Sequence, residues 1–169
     1  AERQEGPHAH AALFGPSGKR VFVPDLGADR IFSYRADRDS ASLTPTAQKS
    51  VAANAGAGPR HVRFHPNHKW MNGINELSGS ITRYNFDITT GKLTRRETVT
   101  TLPEDFAGES WCADLAITPD GRSKSDRPAS GKRRSGLAGF SIQATEATVD
   151  GTAIEHPTVD HGHPTGSIE

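Results

Sequence analysis

Short apolar runs separated by polar turns recur along this chain at a nearly fixed spacing. Gly15-Pro16-Ser17-Gly18-Lys19-Arg20 is a turn, since proline presets φ and glycine accepts positive φ. Val21-Phe22-Val23 then reads as a buried strand, Asp25 to Ala28 as a second turn, and Arg30 to Arg35 alternates polar and apolar as a half-buried strand does. The pattern returns with His65-Pro66-Asn67-His68-Lys69, Trp70-Met71, the turn Leu77-Ser78-Gly79, and the alternating run Ser80 to Phe86. A third, weaker copy runs from Thr118-Pro119-Asp120-Gly121-Arg122 to a strand over Gly136 to Ile142.

Pro16, Pro66 and Pro119 are 50 and 53 residues apart, and Tyr34 and Tyr84 each follow their turn proline by 18 residues. A period near fifty, built from short strands and turns, predicts an all-β chain of propeller blades, each a small antiparallel sheet of about four strands. Three unrelated hairpins in a sandwich would show no fixed period. The expected blade repeats lie near 7–50, 57–101 and 110–150, with the start of a further blade at 151–169. Three blades do not close a ring of about four to eight, so the chain reads as part of a larger propeller. Two places depart from the repeat. Asn72-Gly73 stands where a strand wants apolar residues, and Arg122-Ser123-Lys124-Ser125 is wholly polar, which predicts a weak strand.

Composition narrows the partners. Twenty basic and twenty acidic residues cancel, leaving no global field to attract nucleic acid or an anionic membrane. The basic triplet Lys132-Arg133-Arg134 reads as a solvated loop. The longest apolar runs are far short of a membrane helix. Cys112 is the single cysteine, so no internal disulfide forms, and a reducing, cytoplasmic setting is expected. No HExxH or CxxC pattern supports a metal site, although His8 with His10, or His161 with His163, are pairs that could meet an ion. Dinucleotide and phosphate-loop fingerprints are also lacking. The expectation is an enzyme or scaffold without metal or cofactor.

The repeat supplies a frame for finding a site. Six residues before the turn proline stand His10 and Arg60; ten residues after it stand Leu26 and Glu76. If the first strand of the third copy is two residues short, Arg127 takes the place of Glu76. Equivalent positions on the innermost strands of neighbouring blades point at one region, so His10, Arg60, Glu76 and Arg127 are expected to converge as catalytic residues. Asn75, His61 and Asp114 flank them and are assigned to substrate binding. Each has a plainer reading when taken singly: a solvated strand end, a turn cap, a surface pair.

Several segments resemble one family. They are Pro7-His8-Ala9-His10, Val23 to Ile31, Gly56-Ala57-Gly58-Pro59-Arg60-His61, Ile74-Asn75-Glu76-Leu77, and Ala113-Asp114-Leu115 with Thr118 to Arg122. They resemble the seven-bladed propeller lactonases, which include bacterial 6-phosphogluconolactonase and the fungal carboxy-cis,cis-muconate cyclase. The likeness is specific through about residue 122 and faint beyond Ile142. Where the family carries a histidine two residues after Ala-Asp, this chain has Ala116. The resemblance implies a cleft with a histidine, a paired arginine and glutamate, and a further arginine, falling on His10, Arg60, Glu76 and Arg127. It implies hydrolysis of a small-molecule sugar lactone such as 6-phosphogluconolactone, with Glu76 or His10 as the base and Arg60 and Arg127 facing the oxyanion or phosphate. Muconate cycloisomerisation, a non-catalytic scaffold and an inactive fragment are the competing readings.

Overall fold

A computed structural model describes residues 3–103, 106–108 and 111–119, and the backbone of 123–128 and 135–138. Among them are eleven strands in three antiparallel sheets. The first sheet holds β1 (Leu13–Phe14), β2 (Arg20–Asp25), β3 (Arg30–Asp37) and β4 (Ser42–Ala52) in that order. The second holds β5 (Pro59–Phe64), β6 (Trp70–Asn75), β7 (Ser80–Phe86) and β8 (Leu93–Thr100). The third holds β9 (Asp114–Ile117), β10 (Ser123–Pro128) and β11 (Ser135–Ala138). Each is an up-and-down meander, as in a propeller blade.

The blades stack through apolar side chains. Phe22 and Ile31 of the first pack with Val62, Met71, Tyr84, Phe86 and Leu93 of the second. Phe22, Phe64 and Phe86 meet edge to face, with centroids 4.7–5.8 Å apart. A second cluster joins Ile74 and Ile81 to Cys112 and Leu115 of the third blade. Strand β5 lies against β2 of the first blade on one side and β9 of the third on the other, so the inner strand of the second blade touches both neighbours.

Asn72 and Gly73 do not interrupt β6; both are buried within it. A Cβ on Gly73 would sit 3.5–3.8 Å from Val62, Tyr84 and Ile31. Those are ordinary van der Waals distances, so the position is enclosed by Tyr84 and the neighbouring blade without requiring glycine. The polar third-repeat segment pairs as β10 all the same, through backbone bonds to β9 and β11. Strands β4 and β8 are longer than the sequence pattern marks. They are mostly exposed outer strands, so they carry no apolar period. Phe140, Ile142, the basic triplet, His161, His163 and the further blade expected at 151–169 lie outside the described residues.

The entrance to the second blade depends on Gly58. Its φ is +64°, and its N–H donates to Asp29 Oδ1 at 2.8 Å while its carbonyl accepts from Glu76 N–H at 2.8 Å. A Cβ there would fall 2.6 Å from Leu77 Cγ. Gly56 has φ +74° with nothing within 4 Å of its Cβ position. Gly58→Ala is therefore expected to destabilise by about 1–3 kcal/mol more than Gly56→Ala, since both carry backbone strain and only one adds a clash. Urea unfolding of the two variants measures this difference.

Candidate functional site

A one-residue irregularity in the inner strands builds the site. Pro59 lies opposite Asn75, but His61 lies opposite Ile74, so Arg60 is an extra residue in β5. The first blade has the same shift: Ala9 lies opposite Asp25, whereas Leu13 lies opposite Phe22. His10 sits within that shift, its N–H held by the Pro24 carbonyl at 3.0 Å. Bulges re-aim side chains. Here the same device is used in two adjacent blades, at His10 and at Arg60.

Both side chains reach Glu76, which follows β6 directly. Its carboxylate has 6% side-chain exposure; Arg60 Nε lies 2.6 Å from Oε2 and His10 Nε2 lies 3.9 Å from the same oxygen. Arg3 Nη1 pairs with Oε1. The approach of Arg60 is ionic rather than a directed hydrogen bond, for its buried Nε–H is not aligned with an acceptor. Burying a carboxylate is costly unless it is paired, and two guanidiniums pair it here. Arg3 also lies over Trp111, 5.6 Å from the ring centroid.

A second ionic group adjoins the first. His61 Nδ1 lies 2.7 Å from Asp114 Oδ1, and Arg63 Nη2 lies 3.3 Å from that oxygen. The His10 and His61 rings meet edge to face at 5.5 Å. His10 is pushed below its ordinary pKa, first by burial and then by the charge of Arg60. Burial pushes Asp114 up, but the Leu115 N–H, His61 and Arg63 together hold it below the usual carboxylate range.

His10, Arg60, Glu76, His61 and Asp114 are thus brought together. Asn75 is not: it is 1% exposed, and its amide nitrogen bonds Ser80 Oγ and Thr82 Oγ1, both at 2.9 Å, inside the blade. The reason is strand alternation, which sends neighbours Asn75 and Glu76 to opposite sides. The register also alters the frame at Arg127. Asp114 pairs with Asp126 as His61 pairs with Ile74, and β9–β10 shows no shift, so Arg127 takes the register place of Asn75 rather than of Glu76. The third copy is one residue short before its second strand, not two. The Arg127 side chain lies outside the described residues. Sequence reasoning missed Arg3, which precedes the first repeat and has no counterpart in it, and Arg63, whose alternation with His61 along β5 was the available signal. Among the described residues no group of three or more His, Cys, Asp or Glu could hold a metal ion, and no helix is long and apolar enough to cross a membrane.

Antiparallel meanders packed side by side, with charged side chains gathered where their inner strands meet, define a β-propeller with a polar side-chain cluster at its inner strands. The family model for "Lactonase, 7-bladed beta-propeller" matches residues 1–158, and the chain belongs to that family. It is 37% identical over 156 residues to a 6-phosphogluconolactonase of Erwinia tasmaniensis, covering 87% of this chain and 46% of that protein. With the 6-phosphogluconolactonase of Serratia proteamaculans the identity is 41% over 123 residues, covering 72% and 37%. The structure of a periplasmic gluconolactonase from Pseudomonas aeruginosa superposes with a TM-score of 0.76 at 28% identity, covering 85% of this chain and 39% of that one. The chain spans less than half the length of these relatives.

The lowered pKa of His10 has a signed consequence. Unfolded His10 binds a proton more readily than folded His10, so its contribution to stability is present above the ordinary value of 6.5 and is lost as pH falls from there through the folded value. Urea midpoints measured from pH 7.5 to 5 are expected to fall more steeply for the natural chain than for His10→Gln. Parallel profiles would contradict the burial of a neutral His10.

Proposed function

We propose that the complete propeller carrying these three blades hydrolyses a sugar lactone, 6-phosphogluconolactone being the substrate its named relatives suggest. The observation that carries the reading is Glu76, buried with Arg60 at 2.6 Å and His10 at 3.9 Å, at the junction of inner strands. Lactone hydrolysis needs a proton acceptor for water and positive charge facing the oxyanion. Glu76 is engaged by two guanidiniums, so an imidazole of the cluster takes the proton instead. The water oxygen then bonds to the lactone carbonyl carbon, and the tetrahedral oxyanion faces Arg60. Collapse breaks the bond to the ring oxygen, which receives the proton back from the imidazole. A planar guanidinium also suits bidentate contact with a substrate phosphate, a role open to Arg60. His61 and Asp114 border the same space. The cytoplasmic setting expected from the single, buried Cys112 belongs to this proposal.

In the complete propeller, Arg60→Ala is expected to lower kcat/KM for 6-phosphogluconolactone about 100-fold or more. Unchanged kinetics would remove Arg60 from the mechanism. Turnover of a carboxymuconate in place of the lactone would favour the cyclase chemistry.

A further inference from the structure

Two histidines meet in this cluster, and their surroundings differ. His10 has a buried Nδ1 with no hydrogen-bond partner, and its Nε2 faces the Glu76 carboxylate. A buried N–H without an acceptor costs more than a buried lone pair facing apolar surroundings, so His10 is best satisfied with its proton on Nε2, toward Glu76. That arrangement leaves no accessible lone pair on His10. His61 is arranged in the opposite way. Its Nδ1 lies 2.7 Å from Asp114 Oδ1, and an ionised carboxylate only accepts. Nδ1 must therefore donate, which puts the lone pair on Nε2. Among the described residues Nε2 has no protein partner, and the side chain keeps 23% exposure. Asp114 is itself held in place by the Leu115 N–H at 2.8 Å and by Arg63.

We infer that His61 is the proton acceptor of this cluster and Asp114 its positioning residue, with His10 facing Glu76 at 3.9 Å, beyond hydrogen-bond reach, and taking no proton. This deepens the lactonase reading and rests on it. A base oriented by a third group is a general arrangement for proton transfer, and here the base activates water directly. Here the three partners come from different blades: Asp114 from the third, His61 from the second, and His10, 5.5 Å away ring to ring, from the first. In the step, Nε2 of His61 takes a proton from water as the water oxygen bonds to the carbonyl carbon. The imidazolium, its Nδ1–H still on Asp114, returns the proton to the ring oxygen when the carbon–oxygen bond of the lactone breaks. No other reactant is consumed.

The test combines kinetics and nitrogen NMR on the complete propeller. His61→Gln is expected to lower kcat at least 100-fold, and His10→Gln at most about 10-fold. Asp114→Asn should lower kcat with KM little changed. It should also move the His61 imidazole ¹⁵N shifts from a pure Nδ1–H pattern to a mixture of tautomers, a change a merely structural aspartate would not cause. An Nε2–H pattern for His61 in the natural protein, or a His61→Gln enzyme within about threefold of normal kcat, would overturn the inference. Absence of lactone turnover by the natural protein would overturn the lactonase reading and the base role with it. The ¹⁵N pattern would still decide whether Asp114 sets the tautomer.

Discussion

A carboxylate at 4% residue exposure constrains everything around it, because unpaired it would cost several kcal/mol. Glu76 meets that constraint with Arg60 and Arg3, and neither partner belongs to its own strand. The pairing therefore depends on how the inner strands are offset. The bulge that aims Arg60, the equivalent shift at His10, and the glycine that fixes the carbonyl accepting from Glu76 N–H all serve it. The apolar seams among Phe22, Phe64, Phe86 and Tyr84 then keep the first two blades close enough for the charges to meet.

The same geometry separates two ionic groups that sequence places side by side. Arg60 and His61 are adjacent in the chain, yet one is committed to Glu76 and the other to Asp114. Asp29 shows how much of this is held at a distance. Its carboxylate accepts from Gly56 N–H at 2.7 Å and Gly58 N–H at 2.8 Å, so an aspartate of the first blade fixes the approach to the second.

Much of the architecture was legible as a period. Turn prolines and paired tyrosines located the first two blades, because buried strands must carry apolar side chains at fixed steps. The outer strands β4 and β8 were not legible, since exposed edges impose no such pattern. Asn72-Gly73 misled for the converse reason: the packing of Tyr84 and Ile31 from other strands supplied what the segment's own composition lacked. At the site, equivalence by count found His10, Arg60 and Glu76. It placed Asn75 beside them without weighing strand alternation, and it set Arg127 one residue off, because the connection from β9 to β10 is one residue shorter than that from β5 to β6, not two. Arg3 lies outside any repeat and had no pattern to betray it.

The central claim is that the meeting point of the three inner strands, around Glu76, is where a lactone binds. A crystal structure of the complete propeller with 6-phosphogluconate tests it most directly. The account predicts an anionic group of the ligand on Arg60, and a ligand oxygen or ordered water within hydrogen-bond distance of His61 Nε2. A ligand bound elsewhere, with Arg60, His10 and His61 untouched, would contradict it.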